Sequence, residues 1–214
     1  MPQSLRLAKR SAKRGQASNA RDIPAPADFG RFLLSTFRSV DSVLRPGAPV
    51  YVWHADRDTA LFTEAFLSVR WEMVQCLEWV KGVFALGRQD YQWRHESCFY
   101  GNKPGAMRPW FGEGTPGSVL LFRTARSAEH PGLKPVDLSA FQMGNSCPPG
   151  GVVLDPFAGG GTTVIAAERL GMRARLLELS PKYADVIRRR WAEFVYGPEG
   201  DWEALTPTVE GGAL

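Results

Sequence analysis

Residues 155–163 form the stretch with the clearest chemical potential, and they read D-P-F-A-G-G-G-T-T. An apolar run, Val152 to Leu154, leads into it, and a helical pattern from Thr162 to Leu170 follows. Glycines between a strand and a helix let the backbone approach a ligand closely and adopt positive φ angles. Glu178 ends the next predicted strand, where a carboxylate can accept hydrogen bonds from both hydroxyls of a ribose. The pattern predicts a nucleoside-binding site.

The spacing of the glycines limits which nucleoside fits. A dinucleotide fingerprint G-x-G-x-x-G would need a third glycine after Gly159 and Gly161, but that position is Val164. The chain also has no G-x-x-x-x-G-K-S/T loop for a nucleoside triphosphate. These absences disfavour a nicotinamide-dependent oxidoreductase. The alternative to a nucleoside-binding site is a glycine-rich turn that binds no ligand.

Residues 155–163, which we call the glycine turn, also carry a family resemblance. Together with A-A-E-R-L-G at 166–171 and E-L-S-P-K-Y at 178–183, it resembles the cofactor motif of the DNA N6-adenine and N4-cytosine methyltransferases. That family typically has D-P-F-x-G-S-G-T-T, so Gly160 stands where a serine is usual. The resemblance implies S-adenosyl-L-methionine as the cofactor, with Glu178 holding its ribose. The implied pocket residues are Asp155, Pro156, Phe157, Gly159, Gly161, Thr162 and Thr163.

A second segment, H-P-G-L-K-P at 130–135, resembles the family's H-P-T-Q-K-P segment, which closes over the methionine end of the cofactor. The resemblance carries over His130, Pro131, Lys134 and Pro135. Because this segment precedes the glycine turn, the order of motifs marks the permuted group, in which the cofactor motif lies near the C-terminus. Residues 44–55, 78–82 and 91–101 further resemble a prophage-type subgroup. The family implies site-specific DNA methylation, as in restriction–modification, with double-stranded DNA as the partner.

Cations and aromatic residues are mixed in and beside residues 82–118, a glycine-rich stretch that we interpret as a target-recognition loop region. Such a mixture suits contact with a DNA backbone and a displaced base. The alternative is an aromatic mini-core under a surface loop. The candidate DNA-binding residues are Lys81, Tyr91, Trp93, Arg94, His95, Lys103 and Arg108.

The family's catalytic tetrapeptide, D/N/S-P-P-Y/F/W, is not found. In the family its polar group and a proline carbonyl orient the amine, and its aromatic ring stacks on the flipped-out base. Pro148-Pro149 lies in C-P-P-G, without an acid or an aromatic residue, and Asp22-Ile23-Pro24-Ala25 has the wrong frame. We therefore identify no catalytic residue and expect the 214 residues alone not to methylate DNA.

The missing tetrapeptide implies a missing strand, because in the family that tetrapeptide ends a strand beside the cofactor strand. Its loss would leave unpaired backbone groups in the middle of the sheet. We interpret the sequence as an N-terminally truncated or disrupted member whose catalytic segment a separate peptide could supply. A misplaced start, a frameshift and true decay stay open, as do the oligomeric state and the choice between adenine and cytosine.

The elements that position these residues follow from apolar periodicity. We predict helices at 28–44, 59–69, 136–143 and 162–170, and strands at 50–53, 74–80, 119–122, 152–154 and 174–179. A last helix is predicted to start at Ser180-Pro181, with an N-cap serine and a proline at the first helical position. Strands that alternate with helices indicate an α/β fold with a doubly wound, mostly parallel sheet. The resemblance specifies a Rossmann-like methyltransferase fold without the strand that carries the catalytic loop.

Composition divides the chain into a basic leader (1–26), a methylase domain (27–196) and a flexible tail (197–214). The net charge is +4, but six of the 26 basic residues lie in residues 1–21, which contain no acid. This leader is either disordered or grips phosphates non-specifically. No apolar run reaches 18 residues, so no membrane partner is expected. The three widely spaced cysteines suggest reduced thiols in a cytoplasmic protein, and no metal-ligand spacing occurs.

Two other functions stay open at this point. One is a methyltransferase that acts on RNA or another acceptor, since the glycine turn alone allows it. The other is a non-catalytic remnant that binds the cofactor or DNA. A serine or cysteine hydrolase is disfavoured, because the chain has no G-x-S-x-G elbow.

Overall fold

The structure, a computed structural model, describes residues 26–85, 87–88, 90–124 and 132–205. Residues 1–25 of the predicted leader, His130 and Pro131, and the end of the predicted tail (206–214) lie outside the described residues. In chain order the elements are α1 (Pro26–Val43), β1 (Pro49–His54), a 3₁₀ turn (Asp56–Asp58), α2 (Thr59–Ser68), β2 (Glu72–Ala85), β3 (Trp93–Asn102), β4 (Val119–Leu121), α3 (Val136–Ser146), β5 (Val152–Asp155), α4 (Thr162–Arg169), β6 (Arg173–Leu176) and α5 (Pro181–Tyr196).

The described strands form two sheets. Four strands have the order β1-β3-β2-β4, and β5 pairs with β6 in a separate parallel pair. The α/β prediction is confirmed, but the pairing is mixed rather than mostly parallel. β3 runs antiparallel to both β1 and β2, whereas β2 and β4 are parallel. The reversal arises because a short hairpin connection joins β2 to β3, and such a connection reverses the chain.

β3 corrects the interpretation of residues 82–118 as a loop. Ten residues of that stretch, Trp93–Asn102, form a strand between β1 and β2. Cys98, Phe99 and Tyr100 are buried in succession, so this central strand lacks the alternation of apolar and polar residues that marks a half-buried strand. Its Ser97 and Gly101 also weakened the apolar signal in the sequence. The prediction of a loop was therefore wrong for β3 and for the end of β2.

Helices cover both faces of the four-stranded sheet. Val50 and Val52 of β1 pack with Phe99 in a cluster to which α1 and α2 contribute. The next residue, Trp53, packs instead with Trp79 in a cluster that includes Leu138 of α3. Because successive side chains of a strand point to opposite faces, α1 and α2 lie on one face and α3 on the other.

The second sheet belongs to a compact strand–turn–helix–strand unit. Ala166 and Ala167 of α4 are fully buried against Ala140 and Met143 of α3. Small residues on α4 allow this close approach of the two helices. The helix ends before Gly171, whose φ of 62° is the left-handed conformation that glycine tolerates at a helix C-terminus.

α5 begins where Ser180-Pro181 predicts a helix start, with Pro181 in the first turn. The Ser180 side chain makes no capping hydrogen bond. Among the described residues, no helix combines the length and the apolar character that a membrane crossing requires.

Candidate functional site

Asp155, the first residue of the glycine turn, stabilises the turn through two hydrogen bonds to its carboxylate. One carboxylate oxygen accepts a hydrogen bond from the backbone N–H of Phe157 at 3.0 Å. The other accepts one from the hydroxyl of Thr163 at 2.5 Å. Both partners lie across the turn, so this carboxylate fixes the turn's shape.

Glu178 holds the same turn from a position two residues beyond β6, which ends at Leu176 rather than at the predicted residue 179. Its carboxylate accepts hydrogen bonds from the N–H of Gly159 at 2.8 Å and from the N–H of Ser180 at 2.9 Å. A carboxylate offers about four lone-pair sites, so two backbone bonds leave capacity for further donors. The predicted ribose acid is therefore oriented by backbone groups and can still accept hydroxyl hydrogens.

Glycine is required at two positions of the turn. Gly159 has a φ of 53° and Gly161 a φ of 77°, both in the left-handed region. At Gly161 an added Cβ would also lie 2.9 Å from Cγ1 of Ile187 on α5. The carbonyl of Gly160 accepts a hydrogen bond from Arg190 of α5. The turn is thus packed tightly against α5 on one side.

Lys134 joins the glycine turn to the other sheet. The hydroxyl of Thr162, which is buried at the start of α4, donates to the Lys134 carbonyl at 3.0 Å. The Lys134 ammonium lies 5.3 Å from the Trp53 ring centroid and 3.1 Å from a carboxylate oxygen of Glu96. Because Thr162 follows β5 and Trp53 is near the end of β1, the carboxyl ends of β1 and β5 lie at the same side of the molecule.

Glu96 bridges two ammonium groups, since Lys81 also approaches its carboxylate at 2.6 Å. Burial raises the pKa of Glu96, but the charges and hydrogen bonds of Lys134 and Lys81 outweigh that effect and leave the pKa below its usual value. Glu96 is therefore a charged anchor for the segment that carries Lys134.

A cavity of about 1090 Å³ opens between β1 and β5 beside the glycine turn. Most of the predicted cofactor residues line it: Lys134, Asp155, Pro156, Phe157, Gly159, Thr162 and Thr163. Gly161, Pro135 and Glu178 do not line it. Because β6 flanks β5 on the edge away from the cavity, Glu178 reaches the turn from the other side.

Sequence patterns missed the contribution of α1 to this site. Phe32 of α1 packs edge-on against Phe157 of the turn, with ring centroids 6.1 Å apart. Both rings are about half exposed. The periodicity that predicted α1 included Phe32 on its apolar face, but nothing in it indicated the partner.

The candidate DNA-binding residues separate into two groups at opposite ends of β3. Tyr91, Trp93, Arg94 and His95 lie at the start of β3, beyond the position where Ser97 pairs with His54 at the carboxyl end of β1. This group therefore lies at the same side of the molecule as the glycine turn. Tyr91 is 91% exposed and Trp93 is 42% exposed. We call this part of the β2–β3 hairpin, residues 90–95, the hairpin tip.

Lys103 and Arg108 lie at the other end. With ten residues in β3 and a rise of about 3.3 Å per residue, the two groups are roughly 30 Å apart. Lys103 bonds to the Asp41 carbonyl at 2.6 Å, and Arg108 lies 5.0 Å from the Tyr100 ring centroid. These two cations stabilise the fold at that end.

Lys81 and His95 are also engaged within the protein. Lys81 pairs with Glu96, and His95 Nε2 lies 2.9 Å from an Asp56 carboxylate oxygen. The Ser97 hydroxyl lies 2.5 Å from an Asp56 carboxylate oxygen and 3.0 Å from a Glu78 carboxylate oxygen, and its single hydrogen can be donated to either. No set of three or more His, Cys, Asp or Glu side chains suited to a metal ion occurs in the part of the chain that the structure describes.

The glycine turn and the exposed aromatic residues of the hairpin tip thus lie at the same side of the molecule. In a comparison with known protein families, residues 112–189 match a family model described as DNA methylase. Residues 112–189 match the N6/N4 DNA methylase family. The matching segment contains β4, α3, the Lys134 segment, the glycine turn, Glu178 and the first half of α5.

Solved structures extend the likeness to most of the chain. The cytosine-N4-specific PvuII DNA methyltransferase superposes with a TM-score of 0.66 at 16% identity, over 76% of this chain and 70% of that one. M1.HpyAVI in complex with S-adenosylmethionine gives 0.64 at 18%, over 78% and 85%. TTHA0409 of Thermus thermophilus, a proposed DNA modification methylase solved with S-adenosyl-L-methionine, gives 0.60 at 26%, over 80% and 79%. The Rossmann-like methyltransferase fold is thereby confirmed.

Proposed function

We propose that this protein is the cofactor-binding and DNA-binding part of a DNA methyltransferase that transfers the methyl group of S-adenosylmethionine to adenine N6 or cytosine N4. One observation carries the proposal: Glu178 and the glycine turn are joined by a 2.8 Å hydrogen bond inside the segment that matches the methylase family. The order of motifs, with the cofactor turn near the C-terminus, supports the permuted group, and the resemblance of residues 44–55, 78–82 and 91–101 supports a prophage-type subgroup within it.

The site fits S-adenosylmethionine by its donors and acceptors. The Glu178 carboxylate faces a turn whose glycines leave no side chain between the backbone and a ligand. The adenosine would lie beside β6, with its ribose on Glu178, and the methionine end beside Lys134 and Thr162. The cofactor supplies a methyl group on a positively charged sulfur. The chain's own residues bind and orient it, because Asp155 and Glu178 fix the turn.

DNA would approach from the side on which the hairpin tip projects. Tyr91 and Trp93 offer rings for stacking on a displaced base, and Arg94 offers a charge for a phosphate. The hairpin tip and the cofactor turn share that side of the molecule, as a base that must reach the cofactor requires.

Methyl transfer also needs groups that orient the amine, and residues 1–214 contain no D/N/S-P-P-Y/F/W tetrapeptide. We propose that a segment outside these residues supplies it, either as a preceding part of the same protein or as a separate peptide. The chain alone would then bind the cofactor without turnover.

The test uses tritiated S-adenosylmethionine with duplex DNA, RNA and the 214-residue protein. We expect no label in either nucleic acid. Joining a strand that ends in the family tetrapeptide ahead of Pro26 should then label DNA and leave RNA unlabelled. Label in RNA alone would favour the rival methyltransferase, and strong labelling of DNA by the 214 residues alone would contradict the need for an added segment.

A further inference from the structure

Two half-exposed aromatic rings line the cavity beside the glycine turn. Phe32 of α1 and Phe157 of the turn have ring centroids 6.1 Å apart and ring planes at 60° to each other. Phe32 is 46% exposed and Phe157 is 58% exposed, whereas Phe37 of the same helix is 6% exposed. Rings that only complete a core are buried, as Phe37 is. These two rings, which we call the Phe32–Phe157 pair, therefore keep surface available to a ligand.

The position of the pair is fixed from both of its members. Phe29 packs nearly parallel to Phe32, with centroids 6.3 Å apart, and it contacts Phe62 of α2 in turn, with centroids 5.9 Å apart. The backbone N–H of Phe157 donates to the Asp155 carboxylate at 3.0 Å. Because the two rings are held before any ligand binds, little of the binding free energy is lost in ordering them.

The part of the cofactor that reaches this pair follows from the proposed function. Glu178, the acid proposed for the ribose, does not line the cavity, whereas Phe32, Phe157 and Thr162 do. In S-adenosylmethionine the sulfonium group joins the ribose to the methionine chain. A cofactor with its ribose at Glu178 and its methionine end beside Thr162 therefore presents its sulfonium on the cavity side of the turn.

The charged groups that line the cavity leave the pair accessible to a cation. Asp155 lies two residues before Phe157 and is the only charged residue of the glycine turn. The ammonium of Lys134 lies 3.1 Å from the Glu96 carboxylate, which balances part of its charge. Three arginines also line the cavity from β6 and from the turn before β1, and the two in β6 donate toward the amino ends of β5 and β6: Arg45, Arg173 and Arg175. The glycine turn thus contributes a negative charge beside the pair and no positive one.

We infer that the Phe32–Phe157 pair recognises the positively charged sulfonium of S-adenosylmethionine, and that Phe32 makes the site prefer this cofactor over S-adenosylhomocysteine. The face of an aromatic ring attracts a cation, and the neutral thioether of S-adenosylhomocysteine lacks that attraction. Loss of the methyl group removes the charge, so the spent cofactor is held more weakly and exchanges for a fresh one. The inference rests on the proposed function, and it gives a specificity role to a residue of α1, outside the segment that matches the methylase family.

The test compares the two ligands by calorimetry on the full 214-residue protein. Phe32→Leu keeps an apolar side chain but removes the aromatic face. We expect its affinity for S-adenosylmethionine to fall about threefold to tenfold, while its affinity for S-adenosylhomocysteine stays within twofold of that of the parent protein. The ratio of the two affinities is the readout, because a purely structural loss would lower both affinities together.

Three further variants complete the comparison. Phe32→Tyr keeps the aromatic face and should keep the parent ratio. Phe157→Leu changes the other ring of the pair and should shift the ratio in the same direction as Phe32→Leu, so misfolding of one variant leaves the other to decide. Phe194→Leu on α5 is the matched control, because Phe194 is 48% exposed, close to the exposure of Phe32. It should bind both ligands as the parent protein does.

An unchanged affinity ratio in folded Phe32→Leu or in folded Phe157→Leu would overturn the inference, and so would an equal shift of the ratio in Phe194→Leu. Binding of both ligands with an unchanged ratio refutes this inference alone and leaves the proposed function standing. Binding of neither ligand by the folded parent protein refutes the proposed function, and the inference with it.

Discussion

At the scale of single residues, the site depends on carboxylates that hold backbone rather than on groups that perform chemistry. Asp155 and Glu178 each use both oxygens on the glycine turn or next to it. Hydrogen bonds to a charged acceptor contribute about 1.5–3 kcal/mol each when they replace contacts with water. The position of the turn is therefore set before any ligand binds.

Glu178→Gln tests the ribose acid. The amide keeps one oxygen but places an NH₂ group against either the Gly159 or the Ser180 N–H, and it offers fewer acceptor sites to the ribose. Affinity for S-adenosylmethionine, measured by calorimetry, should fall about tenfold or more. The control is Glu64→Gln on the exposed side of α2. If the affinity of the variant is within twofold of that of the parent protein, Glu178 does not bind the ribose.

Glu96→Gln tests the anchor of the Lys134 segment. Because the folded-state pKa of Glu96 is depressed, its stabilising effect is complete above the usual glutamate pKa and is lost as the pH falls through the folded-state value. Near neutral pH the variant should be less stable by about 1 kcal/mol, given a side chain that is partly exposed. Urea unfolding at a series of pH values should show the difference vanishing in acid. A difference that is constant with pH would contradict this account.

At the scale of elements, the sequence predicted what is local and missed what is long-range. α1, α2 and β1 were predicted close to their observed ends because their apolar residues repeat at regular intervals. The turn and Glu178 were predicted because one short strand–turn–helix–strand unit contains them. The contacts of Lys134 with Glu96 and of Phe32 with Phe157 join distant parts of the chain, and no local pattern encodes them.

The packing of the glycine turn on α5 can be tested with two glycines. Gly161→Ala places a Cβ 2.9 Å from Ile187 at a φ of 77°, whereas Gly171→Ala meets open space at a φ of 62°. In both variants the left-handed conformation lowers the free energy of unfolding by about 1 kcal/mol, and the close contact at residue 161 lowers it by about 1–2 kcal/mol more. Urea unfolding should therefore show Gly161→Ala as clearly the more destabilising. Equal losses of stability in the two variants would show that α5 moves to accommodate the added Cβ with no loss of free energy.

The division of the DNA-binding candidates also makes a prediction. Trp93→Ala and Arg94→Ala at the hairpin tip should each weaken duplex DNA binding about fivefold to tenfold, from lost stacking and a lost phosphate contact. Lys103→Ala should leave DNA affinity unchanged, because its ammonium bonds to Asp41 at the far end of β3. Fluorescence anisotropy at two salt concentrations measures both effects. An equal loss of DNA affinity in Lys103→Ala would contradict DNA binding at the hairpin tip.

At the scale of the whole molecule, the described strands form two separate sheets, one of four strands and one of two. The described residues keep helices on both faces and a complete glycine turn, and the cavity lies between the sheets. That a strand is missing together with the tetrapeptide stays a prediction from the sequence. The sequence could not predict the walls of the cavity, because α1, α3, β1 and β5 contribute to them from separate parts of the chain.

The central claim is that this molecule binds S-adenosylmethionine at the glycine turn, and calorimetric titration of the purified 214-residue protein tests it most directly. We predict saturable binding at one site, competition by S-adenosylhomocysteine, no competition by NAD, and loss of affinity in Glu178→Gln. Absence of binding to the well-folded protein, or binding that Glu178→Gln leaves intact, would contradict the claim.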